Sequence, residues 1–290
     1  MDYDETQGID LHIHSTASDG TLTPREILLL AEQLGIRAIS ITDHDTIEGT
    51  EQAVLYKKPL SLEFITGVEI SSNPPFSLPS TGSLHILGYG IQTNHSGLKA
   101  ALNRLQTSRK NRNPEILKRL ADMGIWITPE EIRKTVGPGQ IGRPHIAQVL
   151  IAKGFVRNMD DAFETYLGKN RPAYIEKYRI ECEHAIQLIL SAGGIPVLAH
   201  PGIIKTADPD GLSFLVATLK EMGLMGIEVY YPGHSKAQTN QYLQLAQNTD
   251  LLVTGGTDFH GSMHPEIQMG KGRGDTFIPY SLYKKLIEKI

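Results

Sequence analysis

Seven short apolar runs rich in β-branched residues recur along the 290-residue chain, at 9–13, 38–42, 64–68, 84–87, 195–199, 226–229 and 251–254. No other feature limits the fold as tightly. Runs this short and apolar read as strands buried on both faces, and the helical patterns between several of them imply parallel pairing. One helix start is well marked: Thr23 as cap, Pro24 in the first turn and Glu26 three residues on, with Gly35 closing the segment. Strand–helix alternation repeated about seven times predicts an α/β fold closed into a barrel, with a doubly wound open sheet as the alternative.

The alternation breaks between residues 98 and 173. Helical runs at 98–108, 114–123, 129–135, 144–153 and 159–166 are separated by Gly and Pro, without a strand pattern among them. Roughly 75 residues far exceed a loop, so this stretch reads as an inserted helical subdomain, leaving 1–97 and 174–290 as the barrel unit. It is also basic. Ten Lys or Arg stand against four Asp or Glu between Lys99 and His145, although the whole chain carries a net charge of −4. A segregated excess of this kind is either a solvated helix face or a surface that attracts phosphates. The Pro-rich excursion at 72–82 carries no readable chemistry.

The apolar runs end in a common vocabulary. In DLHIHSTASDG, His12 and His14 flank Ile13 and so share one face of a strand, with Asp19 close behind. ITDHD places His44 after the second run, and GVEIS places Glu69 after the third. LHILGYG carries His85 in the fourth, LAHPG places His200 after the fifth, and TGGTDFHG places Asp258 and His260 after the seventh. The C-terminal strand ends of a parallel barrel converge on one mouth, where catalytic groups collect. A single His or Glu after a strand is ordinarily a solvated polar end. Six imidazoles and three carboxylates at one mouth form a nitrogen and oxygen ligand set. Such a set suits Zn²⁺, Mn²⁺ or Fe²⁺ rather than Ca²⁺, and it exceeds what one ion can use.

Taken in order, HIHSTASDG, ITDHDTIEG, GVEIS, LHILGYG, LAHPG and TGGTDFHG resemble the motifs of the polymerase-and-histidinol-phosphatase (PHP) family of metal-dependent phosphoesterases, across residues 9–261. GRPHIAQVLI and YYPGHS are similar to segments of its standalone branch with a helical insertion. The resemblance implies a distorted (β/α)7 barrel of the TIM type holding two to three divalent transition-metal ions (Mn, Fe or Zn). Carried over by motif, His12, His14, Glu69 and Asp258 hold one ion. Glu69 bridges to a second, completed by His85 and His200, while Asp19, His44 and His260 hold a third. A hydroxide shared between close cations is a nucleophile at neutral pH, and the ions offset charge building on phosphoryl oxygens.

The same branch implies hydrolysis of the 3′-phosphate of 3′,5′-nucleoside bisphosphates and, in some members, trimming of short 5′-phosphorylated RNA. The expected partner is therefore a small phosphorylated substrate, a nucleoside bisphosphate or short oligoribonucleotide, with no obligatory protein partner. Glu69 and His234 are the expected catalytic side chains. Arg143, at a helix start within the insertion, is expected to reach over the mouth and clamp a substrate phosphate. His234, after the sixth run, is expected to contact that phosphate or protonate the leaving oxygen. Histidinol-phosphate phosphatase, a non-catalytic metal-binding module and a deaminase or amidohydrolase are the alternatives. The basic insertion disfavours the first and the full ligand set the second; the third lacks a metal-bridging lysine after any run.

Other features bound the reading from outside. Cys182 is the only cysteine, which excludes an intramolecular disulfide framework. The polar N-terminus MDYDETQGID has no signal-peptide character, and no apolar run approaches the ~18 residues of a membrane span, so a cytoplasmic protein without membrane contact is expected. His95, His184 and His264 lack strand-end context and read as surface or packing residues. GKGRG at 270–274 reads as a turn, and Asp43 and Asp45 as supporting or capping groups. Ser15 and Ser18 are not nucleophiles, since no His–Asp pair is free to activate one.

Overall fold

The computed structural model describes residues 8–56, 61–76, 78, 84–136, 141–206, 208 and 210–290; residues 1–7 of the N-terminus and 77 and 79–82 of the Pro-rich excursion lie outside them. Strands and helices alternate at the start: β1 (Asp10–Ile13), α1 (Pro24–Gln33), β2 (Ala38–Ile41), α2 (Glu48–Leu55) and β3 (Glu63–Asn73). After β4 (Leu84–Tyr89) come α3 (Ser96–Asp122), α4 (Pro129–Val136), α5 (Arg143–Ala152), α6 (Met159–Ala162) and a π turn at Phe163–Leu167. The chain returns through β5 (Ile180–Glu181), α7 (Cys182–Ser191), β6 (Ile195–Leu198), α8 (Gly211–Glu221) and β7 (Gly226–Tyr230). It closes with α9 (Lys236–Asn248), β8 (Leu252–Gly255) and α10 (Tyr280–Ile287). The capping box at α1 forms as the sequence dictates: Thr23 accepts from the Glu26 backbone while Glu26 accepts from the Thr23 N–H at 2.8 Å.

The strands form one sheet in the order β1-β2-β3-β4-β6-β7-β8, with β5 added beside β3. The sheet is curled. Its first strand meets the segment after β8 through an Ile13–Phe259 bridge, where the His14 N–H donates to the Phe259 carbonyl at 2.9 Å. Gly256 permits that approach, because a Cβ there would collide with the His12 backbone. Pairing is not uniformly parallel as expected: β4 runs antiparallel to both β3 and β6. The connection from 74 to 83 is too short for a parallel crossover, which needs a dozen or more residues and usually a helix. A strand that reverses there presents its first residues, not its last, at the mouth.

The helical stretch departs from expectation at one point. The runs at 98–108 and 114–123 are a single helix, α3, with Pro114 inside it. Proline removes one backbone hydrogen bond, and packing on both sides of it outweighs that loss. Leu98, Leu102 and Leu105 join the cluster between sheet and helices, whereas Ile116 and Leu120 join a separate cluster with Ile146, Leu150 and Leu167. A further cluster, including Leu11, Leu87, Tyr89 and Val197, fills the inside of the curl. Full burial of each such side chain contributes roughly 1.5–3 kcal/mol, which keeps the strand ends, and what they carry, in place. No described helix is long and apolar enough to cross a membrane.

Candidate metal centre

The nine candidate ligands singled out from the sequence meet in one place. Glu69, fully buried, lies at the middle. Its Oε2 is 2.6 Å from His44 Nδ1, 3.3 Å from His14 Nε2 and 3.5 Å from His12 Nε2. Its Oε1 is 2.7 Å from His85 Nδ1 and 2.9 Å from His200 Nε2. Asp258 Oδ1 sits 3.1 Å from His14 Nε2 and 3.4 Å from His12 Nε2, while Asp19 Oδ1 sits 3.4 Å from His260 Nε2. His85 reaches the cluster because β4 is reversed, so that Ser71 and His85 stand opposite each other near the mouth.

Four overlapping sets of donors lie close enough together to hold an ion: His14, Asp19, His44 and His260; His12, Glu69 and His200; His12, His14 and Asp258; and His44, Glu69 and His85. Glu69, His12, His14 and His44 each take part in two sets. His44 does so beside Asp19 and beside Glu69 and His85, which the motif-based division does not anticipate.

The donors fit a cation. Among the described residues, buried His12 Nε2, His14 Nε2, His44 Nδ1, Glu69 Oε2 and Asp19 Oδ1 have no hydrogen-bond partner although they converge. Lone pairs packed face to face in a dry site are costly unless positive charge lies between them. Protonation shows the same demand. Burial depresses His14, but Asp258 and Glu69 more than reverse it and hold the imidazole at about 10. Burial would raise the Glu69 carboxyl, yet His44, His85 and His12 keep it well below the usual carboxylate range. Divalent ions can take the place of those protons.

Backbone strain falls on His200, whose φ of 27° lies outside the left-handed well, whereas Asp45 and Asp258 adopt φ of 56° and 54°, a region that aspartate tolerates.

Several supporting residues carry no motif. Glu228, fully buried on β7, accepts from His12 Nδ1 at 2.9 Å and from the His200 backbone N–H at 2.7 Å. The signal for it was a carboxylate inside an otherwise apolar strand. Asp10 accepts from the Thr257 side chain and backbone and from Gly270 N–H, tying the β1 start to the β8 end and to the 270–274 turn. Asp43 accepts from Ser15 N–H, Ser15 Oγ and Ser18 Oγ, fixing the loop between His14 and Asp19. Tyr231 donates to Asp258 Oδ2 at 3.2 Å.

Beside the cluster, Asp19, His44 and His85 face a cavity of about 160 Å³ whose far wall is cationic: Arg109, Arg112, Arg143, Lys177 and Arg179. Two acids pair with them: Asp45 lies 2.5 Å from Arg109 and 3.4 Å from Lys177, and Glu176 lies 2.5 Å from Arg179. Burial, with Arg143, Arg109 and Arg179 nearby, brings Arg112 down to about 9. Burial likewise brings Lys177 to about 7, more than Asp45 restores. Arg143 lies between Phe163 and Tyr174 and donates to the Leu167 carbonyl at 2.8 Å. The other four cations have no local signature; the charge excess points to Arg109 and Arg112, while Lys177 and Arg179 fall beyond it.

His234 is engaged on both ring edges: Nδ1 lies 2.9 Å from the Val229 carbonyl, and Nε2 accepts from Gly202 N–H at 3.2 Å. His95 caps α3, and His264 lies 3.6 Å from Glu266. On the other flank of the cluster, Asp258 and His260 face a larger cavity of about 830 Å³.

Comparison with known proteins agrees with this chemistry. The sequence profile of the PHP domain matches residues 10–182. A 5′-3′ exoribonuclease of Haemophilus influenzae is 34% identical over 88% of this chain and 90% of its own length. A 3′,5′-nucleoside bisphosphate phosphatase of Chromobacterium violaceum is 31% identical over 87% of each. Among solved structures, a candidate metal-dependent phosphoesterase of Bifidobacterium adolescentis superposes with a TM-score of 0.84 at 28% identity, covering 98% of this chain and 96% of that one. With profile, relatives and the histidine–carboxylate cluster in agreement, the chain belongs to the PHP family of metal-dependent phosphoesterases.

Proposed function

We propose that the protein removes the 3′-phosphate from 3′,5′-nucleoside bisphosphates, and that the same site trims short 5′-phosphorylated RNA. The observation that carries this reading is the buried cationic wall facing the histidine–carboxylate cluster across the small cavity. Five basic side chains, two of them largely buried arginines, stand against two paired acids, Asp45 on Arg109 and Lys177 and Glu176 on Arg179, which leaves Arg112 and Arg143 without a carboxylate among these ion pairs. Such a group is stabilised by an anion, and a substrate with a second phosphate brings one.

In this reading, residues 1–97 and 174–290 form a distorted (β/α)7 barrel and 98–173 a helical lid that carries Arg109, Arg112 and Arg143. His12, His14, Asp19, His44, Glu69, His85, His200, Asp258 and His260 would hold two to three divalent ions of Mn, Fe or Zn, with Glu69 shared between donor sets. Ions held there supply Lewis acidity, lowering the pKa of water and offsetting charge on a phosphoryl group. Arg143, its guanidinium plane fixed by Phe163 and Tyr174, binds the phosphate that is not cleaved, together with Arg109, Arg112, Lys177 and Arg179. Those contacts orient the nucleotide so that its scissile phosphate lies over the cluster. Glu228 keeps the Nε2 lone pair of His12 directed inward. His234, through Gly202 N–H, positions the turn that carries His200.

The test is phosphate release from metal-loaded protein, comparing 3′,5′-bisphosphates, mononucleotides and histidinol phosphate. The bisphosphate should have the highest kcat/KM. Equal or better turnover of histidinol phosphate, whose single phosphate leaves the cationic wall empty, would overturn the reading.

A further inference from the structure

Asp258 uses its two carboxylate oxygens in different ways. Oδ1 faces the imidazoles, 3.1 Å from His14 Nε2, 3.4 Å from His12 Nε2 and 3.6 Å from His260 Nδ1. Oδ2 accepts instead from the Tyr231 hydroxyl at 3.2 Å. A phenol keeps its proton at neutral pH and a carboxylate has none, so Tyr231 can only be the donor. Both residues line the larger cavity of about 830 Å³, which places their bond where the cluster opens into it. The tyrosine is firmly seated. Its ring lies edge-on to His200 at 5.7 Å between centroids and tilted on His234 at 5.1 Å, and His234 rests in turn against Tyr242. Gly233 leaves room for that ring, since a Cβ there would come within 2.7 Å of Tyr231 Cε1. The Gly256 N–H donates to the Tyr230 carbonyl at 3.0 Å, fixing this corner to the segment that carries Asp258.

We propose that Tyr231 is a positioning residue: it restricts Asp258 to one ligating oxygen, Oδ1, and so keeps a coordination position free on the side of the larger cavity. The proposal rests on the assignment of the cluster as a metal centre. A carboxylate beside a divalent cation binds through one oxygen or through both. Catalytic metal sites differ from structural ones in retaining a position for water or a substrate oxygen, and a second Asp258 oxygen would fill it. What holds Oδ2 away from a cation is the proton that Tyr231 offers it, and hydrogen bonds to carboxylates are among the strong ones. The role differs from that of Glu228, which holds ligand atoms in place. Tyr231 holds a ligand atom out. Its loss should therefore leave metal binding intact, or tighten it, while turnover falls.

The test uses full-length protein loaded with Co²⁺, whose visible absorption weakens as its coordination number rises. Tyr231→Phe keeps the ring that packs on His200 and His234 and removes the hydroxyl alone. It should bind as many Co²⁺ equivalents as the wild type, with equal or higher affinity in competition against a chelator. Its absorption should be weaker. Inorganic phosphate, which perturbs the wild-type spectrum by taking the free position, should change that of the variant far less. Turnover of a simple aryl phosphate should fall roughly ten- to hundredfold, the usual effect of removing a partner behind a ligand. A crystal structure of the Co²⁺-loaded variant should place both Asp258 oxygens on one ion. An unchanged spectrum and phosphate response in the loaded variant would overturn the proposal, as would a wild-type spectrum indifferent to phosphate. A loss of bound Co²⁺ from the variant would overturn it too, because Tyr231 would then support a ligand as Glu228 does. A wild type that binds no Co²⁺ would instead overturn the metal assignment, and the role of Tyr231 with it.

Discussion

Replacing Glu228 by glutamine tests how the cluster is held, because the change keeps the shape of the side chain and removes one acceptor. Both carboxylate oxygens are used: Oε1 accepts from His12 Nδ1 at 2.9 Å, and Oε2 from the His200 N–H at 2.7 Å. An amide has a single oxygen. If it faces His12, the NH₂ group meets the His200 N–H, donor against donor. If it faces His200, the NH₂ group meets His12 Nδ1, which must then give up its proton to Nε2. That atom points at Glu69 and Asp258, 3.5 and 3.4 Å away, so the proton would sit where an ion needs a lone pair. The first arrangement forfeits one buried hydrogen bond, and the second keeps both but moves the His12 proton onto its ion-facing nitrogen; we expect a cost of about 1–3 kcal/mol in either case. At 1.4 kcal/mol per factor of ten, this corresponds to roughly 10- to 100-fold weaker metal binding, the usual cost of disturbing a partner behind a ligand. The assay is a competition titration of metal-free protein with Zn²⁺ or Mn²⁺ against a chromogenic chelator, with thermal melts to confirm folding. Wild-type affinity in a folded Glu228→Gln protein would refute the argument that this carboxylate sets the His12 tautomer.

Elemental mass spectrometry of protein purified with metal should find about two or more transition-metal equivalents per chain, as the proposed bridging role of Glu69 implies; one or fewer would remove that role. Glu69→Gln should lower kcat by roughly 10³-fold while changing KM little, and near-normal turnover with full metal content would contradict it. Lys177 is held to about 7, below free lysine, so it is cationic below that pH and loses its charge above it. KM for a bisphosphate should therefore rise as pH increases through about 7, and Lys177→Arg, which stays charged, should flatten that profile. Arg143→Lys should raise KM for a bisphosphate more than for a simple aryl phosphate, since lysine cannot fill the slot between Phe163 and Tyr174 or bind bidentately; equal effects would make Arg143 a structural residue only.

The candidate ligands were legible because each sits beside an apolar run, and the curl of the sheet follows from the same runs. What escaped the pattern depends on distant chain segments. The direction of β4 is set by its connections, although the short Pro-rich link after Asn73 was itself a clue against parallel pairing. Pro114 reads as a helix boundary from local propensity, and clusters on either side of it overrule that preference. Glu228 looks like an intrusion into GIEVY until His12 and His200, both far away in sequence, supply its partners. Lys177 and Arg179 share no segment with Arg109 and Arg112; only folding brings them to one wall. The ring of His234 carried a strand-end signature like the others, but bonds to Gly202 and Val229 occupy its nitrogens.

The long helix α3 has a consequence for how such a protein can change. Its first turns are anchored beside the sheet by Leu98, Leu102 and Leu105, and its last by Ile116 and Leu120 in the separate helical cluster. Arg109 and Arg112 ride on the stretch between these anchors, just before Pro114. The described helices packed on Ile116 and Leu120 are therefore mounted on one beam whose inner end is fixed at the mouth. Lineages can lengthen, trim or repack the outer helices, shifting which bodies fit over the site, while the inner anchor keeps Arg109 in register with Asp45. Changes to the outer helices can thus alter what fits over the site while Arg109 and Arg112 stay at the mouth.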